Sequence, residues 1–168
     1  MATTKPVDFL AQLRCLVGHG VNFVVVGGVS AVLQGVPMTT LDLDIVHQRT
    51  SDNLMRLVTA LRALEAYYRG RGTQRLHPDQ EHLASEGHHL LMTNAGPLDV
   101  LGIIGAERSY ENLLSHTERL TIHGLELLVL DLETQIKVKE EVAHEKDQAA
   151  LPLLRRALHK KLETRRGQ

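Results

Sequence analysis

A chain of 168 residues with 43% hydrophobic content is the size of one ordinary domain with a helical appendage, enough to bury a single core. With 2 Phe, 3 Tyr and no Trp, that core must be aliphatic, and the scarcity of stacking platforms argues against a single-strand-binding module. A balance of 19 basic and 20 acidic side chains, formal net charge −1, excludes a global field that draws nucleic acid, and the lone Cys15 excludes an internal disulfide and a thiolate metal site.

The opening MATTKPVDFL has no apolar signal core, and no window approaches the ~18 apolar residues a bilayer span requires, so a cytoplasmic location with no membrane contact is expected. Residues 7–19 place Phe9, Leu10, Leu13, Leu16 and Val17 at helical spacing, ended by the glycines at 18 and 20. Cys15 falls inside this pattern and is expected to be a small buried side chain. Residues 21–26 are β-branched and almost wholly apolar, as in a central strand covered on both faces. Gly27 and Gly28 close that strand. A short helix over residues 30–34 follows, stopped by Gly35, and Pro37 forces an extended entry into a strand over 41–46.

From 51 to 67 the spacing of Leu54, Leu57, Val58, Leu61 and Leu64 predicts a second amphipathic helix with Ser51 or Asp52 as N-cap. Residues 69–88 read as polar loop with one short helix over 78–84. Strands at 89–93 and 97–101 form a hairpin through Asn94, Ala95 and Gly96, and a second hairpin joins 117–122 to 125–130 through His123 and Gly124. Asp131 is the N-cap of a helical tail, 132–162, expected to break near Pro152 because proline removes a backbone donor. The expected organisation is a core over 1–130, with the helices of 131–168 packed on it in the same domain.

Chemistry concentrates in three places. Residues two apart in a strand share a face, so Asp42 and Asp44 project together while Leu43 enters the core, with Cα atoms roughly 6–7 Å apart. Their repulsion calls for a hard divalent cation with oxygen ligands, Mg²⁺ above all. Asp99 stands between Leu98 and Val100 in an apolar strand, a costly place for an unpaired acid. Were its strand to lie beside that of Asp42, three carboxylates would converge as a ligand set for two-metal phosphoryl or nucleotidyl transfer. Gly27 and Gly28 let backbone N–H groups approach phosphate oxygens, although taken alone they are better explained by a tight strand-to-helix turn.

In order, GGVSAVLQG, the Asp-Leu-Asp strand and a later lone strand aspartate resemble the DNA polymerase β-type nucleotidyltransferase superfamily. Within it the chain is most similar to small bacterial nucleotidyltransferases, including those found as toxins in toxin–antitoxin pairs. The likeness covers roughly residues 21–101 and extends more loosely through the helix of Lys137 to Asp147. It implies an α/β (α+β) fold with a mixed sheet flanked by helices and a C-terminal helical segment. It also implies Mg²⁺-dependent transfer of an NMP from an NTP to a hydroxyl of a protein, an RNA (tRNA among them) or a small molecule, with release of pyrophosphate, and an antitoxin as a partner.

Carried over by residue, the resemblance places Gly27, Gly28 and Ser30 on the triphosphate, Asp42 and Asp44 on both metals, and Asp99 on the catalytic ion and the acceptor hydroxyl. Lys137 reaches the nucleotide phosphates, with Lys146 and Asp147 nearby. Two departures stand out: Met38 precedes Thr-Thr-Leu-Asp-Leu-Asp where many relatives have arginine, and His144 stands where arginine is frequent. They motivate a second expectation, a catalytically degenerate nucleotide-binding or protein-interaction module of the same fold.

The remaining features read as structural. His77, His82, His88 and His89 lack zinc-ligand spacing and are expected on the surface or in loops. The cations of RRALHKKLETRR suit a helix C-terminus, with RNA phosphates as the alternative partner. A dinucleotide site is disfavoured by the missing G-x-G-x-x-G.

Overall fold

The computed structural model describes residues 5–142 and 144–168, so the first four residues of the N-terminal stretch lie outside it. Asp8 accepts a hydrogen bond from Ala11 N at 2.9 Å and so caps α1 (Phe9–Gly18), which turns Leu13 and Leu16 inward. Next come β1 (Phe23–Val26), buried throughout, α2 (Gly27–Leu33), β2 (Leu43–His47) and α3 (Ser51–Ala63). The chain continues with β3 (Tyr67–Tyr68), α4 (Gln80–Leu83) and the hairpin β4 (His88–Thr93) and β5 (Gly96–Leu101). A small ribbon, β6 (Ile103–Ile104) with β7 (Arg108–Ser109), leads to α5 (Tyr110–Leu113). The second long hairpin is β8 (Thr117–Ile122) and β9 (Leu125–Leu130), and α6 (Leu132–Glu141) and α7 (Glu145–Arg166) complete the chain.

The main sheet has seven strands in the order β3-β4-β5-β2-β1-β9-β8. It is mixed: β1 runs antiparallel to β2 but parallel to β9, and β2 runs parallel to β5. One face packs on α1 and α3 through Leu43, Ile45, Leu98 and Val100, with Leu16, Leu57 and Leu61 opposite. The other face is covered only in part, where Val24, Val26 and Val46 meet Tyr110 and Leu113 of α5. The two C-terminal helices join the core through Leu132, Ile136, Leu151 and Leu154 against Ala31 and Val36.

Several expectations need correction. The helix after β1 starts at Gly27, not at Ser30, and α3 is preceded by Thr50 at the N-cap and ends at Ala63, because Glu65 adopts φ 54° and turns the chain into β3. The helical tail is interrupted after α6, with Val142 (ψ 120°) and His144 (ψ 135°) both extended, and α7 runs unbroken through Pro152. Pro152 faces solvent, which can solvate the carbonyl left without a donor, while buried Leu151 and Leu154 hold both halves of α7 on the core. His89 is not a surface histidine: it is 7% exposed, and burial pulls its pKa down to about 4. Cys15 is half-buried with its thiol toward the Ala60 carbonyl, and burial raises its pKa.

Candidate active site

The site forms where β1 ends and β2 begins. Antiparallel pairing sets Val26 opposite Asp44, and parallel pairing sets Asp44 opposite Asp99. The register therefore puts two acids side by side on neighbouring strands, with Asp42 just before β2 begins. One carboxylate oxygen from each of Asp42, Asp44 and Asp99 lies within 4.8 Å of the others. Gly27 takes φ 64°, and a Cβ there would collide with Asp44 Oδ2, so glycine is required both for the backbone conformation and for the close approach. Gly28 meets the same limit against Thr40, whose hydroxyl donates to the Asp42 carbonyl at 3.2 Å.

The electrostatics follow from burial. Asp44 is pushed up to about 8, first by burial and then by the neighbouring charges of Asp99 and Asp42. Its Oδ1 is buried with no hydrogen-bond partner among the described residues. Burial also raises Asp99, opposed by Arg69, whose guanidinium pairs with it directly. Three convergent carboxylates, one with an orphaned buried oxygen, form an oxygen donor set that fits a hard divalent cation.

The structure sorts the predicted residues. Gly27 and Asp44 line a cavity of about 140 Å³ between the strand ends and α6. Ser30 is fully buried and donates its hydroxyl to the Leu130 carbonyl at 2.9 Å, while Gln34 donates to Ser30 Oγ at 3.2 Å, so this side chain is committed to the protein. Lys137 points outward and pairs with Glu133 at 3.3 Å. Lys139 occupies the cavity instead, 3.0 Å from Asp147, and its charge lowers the pKa of Asp44. Lys146 is exposed. Met38 packs against the cluster under α7, and His144 is the exposed N-cap of that helix.

Three residues absent from the sequence reading belong to the site: Arg69, Gln135 and Lys139. For the last two a signal existed. Leu132, Gln135, Ile136 and Lys139 share one helical face, and Leu132 and Ile136 mark that face as buried, which Lys137 does not share. Arg69 gave no such signal, since it sits in a stretch whose two-residue strand has no periodicity to read.

No family profile and no curated protein sequence matches the chain. Solved structures do. The lincosamide antibiotic adenylyltransferase LnuA, bound to lincomycin, is similar with a TM-score of 0.61 and 12% identity, over 90% of this chain and 98% of that one. The enzyme ANT(2″)-Ia in complex with adenylyl-2″-tobramycin gives 0.55 and 15%, over 91% and 89%. A candidate nucleotidyltransferase of Thermotoga maritima gives 0.53 and 19%, over 93% and 88%. The chain thus has the α/β fold of these nucleotidyltransferases, a mixed sheet flanked by helices.

Proposed function

We propose that the protein is a Mg²⁺-dependent nucleotidyltransferase that moves an NMP from an NTP to an acceptor hydroxyl. The observation that carries this reading is the convergence of Asp42, Asp44 and Asp99 beside the Gly27 turn and Lys139. Asp42, Asp44 and Asp99 would hold a divalent cation, which would supply charge neutralisation for the phosphates and a lowered pKa for the attacking hydroxyl.

The chain's own groups do the rest. Gly27 and Gly28 leave room for phosphate oxygens against backbone, where any side chain would collide with Asp44 or Thr40. Lys139 releases Asp147 to neutralise phosphate charge. Asp99, its basicity raised by burial and its orientation held by Arg69, takes the proton of the acceptor hydroxyl. The acceptor oxygen bonds to the α-phosphorus, the bond from that phosphorus to the bridging oxygen breaks, and pyrophosphate leaves with the electron pair.

The acceptor stands beside Asp99 on the uncovered part of the sheet face, where Leu90 is 45% exposed on the neighbouring strand. Two structural neighbours carry antibiotics, which makes a small hydroxyl compound one arm of the test; an RNA 3′ end and a protein hydroxyl are the others. The experiment is transfer from α-labelled NTPs with Mg²⁺ to these three acceptor classes. Label on an acceptor, lost in Asp44→Asn, supports the reading. Tight NTP binding with no transfer to any class favours the degenerate module that Met38 suggests. Growth arrest on induction of the wild type but not of Asp44→Asn tests a toxin role.

A further inference from the structure

Beyond Asp99 the site face of the sheet continues to its edge strand. Asp99 pairs with Leu90, Pro97 with Met92, and Met92 with Tyr67, so these side chains all stand on one face. Leu90 is exposed and Met92, Pro97 and Tyr67 are half-buried, which leaves an open shelf leading away from the acids. At its end Arg75 Cζ lies 4.3 Å from the centre of the Tyr67 ring, and Tyr67, Arg75, Arg62 and His77 line an open groove of about 690 Å³. Neither Arg62 nor Arg75 has an ion-pair partner among the described residues, and the acid that lines the groove, Glu65, accepts a hydrogen bond from Asn94 Nδ2 at 3.3 Å. Residues 66–78 carry Arg69, Arg71 and Arg75 and no acid, with Arg69 committed to Asp99. A guanidinium laid on an aromatic face keeps its edge N–H donors free, which suits a phosphate beside a stacked base.

Spacing points to the kind of anion. Tyr67 lies two strands and two residues from Asp99, roughly 12 Å by strand geometry. Phosphates recur at roughly 3.4 Å per stacked nucleotide, and further apart when unstacked, so the groove meets the backbone within a few nucleotides of a hydroxyl at Asp99. We propose that the acceptor is the 3′ end of a single-stranded RNA, its terminal hydroxyl at Asp99 and an upstream phosphate on Arg62 and Arg75. The 3′ oxygen bonds to the α-phosphorus, Asp99 takes its proton, and pyrophosphate leaves with the electron pair. A polycationic amino sugar would meet like charge in the groove, and a cell presents single-stranded 3′ ends mainly as RNA. One groove beside the acids reads a strand end without the many platforms of a general single-strand binder. This inference rests on the nucleotidyl-transfer reading and chooses among its acceptor classes.

Transfer from α-labelled NTPs with Mg²⁺ to a length series of single-stranded RNAs, from a nucleoside upward, tests it on the wild-type protein. KM should fall in one step, by about tenfold, at the length whose phosphate reaches the groove, the scale of a hydrogen bond to a charged group. In the double variant Arg62→Gln with Arg75→Gln that step should vanish and the salt dependence of RNA binding should flatten, with kcat on the nucleoside, NTP affinity and melting temperature unchanged. Arginines that serve only the end of α3 and the Tyr67 ring would do the reverse, with the step kept and the melting temperature lowered. A length series without a step, or transfer to an amino sugar, a protein hydroxyl or DNA in preference to RNA, overturns the inference and leaves nucleotidyl transfer standing. Transfer to none of these acceptors overturns both. Should the double variant fail to fold, the wild-type length series decides alone.

Discussion

Strand β2 carries two polar centres three positions apart and on opposite faces, His47 buried and Asp44 half-buried, and the protein treats them oppositely. On the core face, His47 is fully buried, with Nδ1 3.1 Å from the Leu101 carbonyl and Nε2 2.7 Å from the Leu83 carbonyl. Its neighbour His89 has Tyr68 Oη 2.9 Å from Nδ1 and Ser85 Oγ 3.4 Å from Nε2. Burial lowers the pKa of both rings, and every ring nitrogen has a protein group within reach, with a neutral His47 donating to one of its two carbonyls. On the other face Asp44 is crowded by two further acids, keeps an oxygen with no partner among the described residues, and holds a proton to about pH 8. Polar groups completed by the protein serve the fold; those left incomplete await something from outside.

The hardest blow to this contrast is Asp44→Asn. Transfer should fall by at least roughly 100-fold, the scale of losing a metal-ligating position, while the metal-free protein becomes no less stable, since a neutral amide replaces a carboxyl that is itself protonated below about pH 8. Unfolding in denaturant with a chelator present checks the second half; a large loss of stability would make Asp44 a structural acid. The mirror experiment is His47→Ala, which takes the donor from a buried carbonyl and opens a cavity. It should cost about 2–4 kcal/mol of stability, read from the denaturant midpoint, with Mg²⁺ affinity measured by calorimetry unchanged.

The comparison sharpens within one helix. Lys139→Ala should reduce transfer by about 10- to 100-fold through loss of a charge-assisted phosphate contact, while Lys137→Ala, which removes an exposed pair with Glu133, should change it by less than about twofold. Equal effects would place the phosphates elsewhere.

The smallest effect is a pH slope. Because the folded pKa of Asp44 lies above its ordinary 3.8, the folded protein holds a proton that the unfolded chain releases between about pH 4 and 8, so metal-free stability should decline as pH rises through that window. His89 works the other way: its folded pKa, about 4 against 6.5, makes stability decline as pH falls between those values. Above pH 6.5 the Asp44 slope is unopposed by His89. Melting curves with chelator at pH 6.5 and 8 should show the drop, and Mg²⁺ should restore more at pH 8, where no proton competes for the carboxylate. A flat profile would mean that Asp44 is ionised in the free protein.

What the sequence determined by itself was local. The apolar run of β1, the two hairpins, the Gly27 turn, the cap at Asp131 and the shared face of Asp42 and Asp44 are all written in periods of a few residues, or in the steric demands of glycine. Tertiary structure decided what met what. Asp99 belongs to the site because β5 pairs with β2 in the one register that sets it opposite Asp44; a shift by one residue would turn it into the core. Likewise the packing of Leu132 and Ile136 rotates α6 so that Lys139, not Lys137, enters the cavity, and buried Leu151 and Leu154 carry α7 through Pro152. Register and helix rotation are set by contacts far apart in the chain, and no window of neighbouring residues contains them.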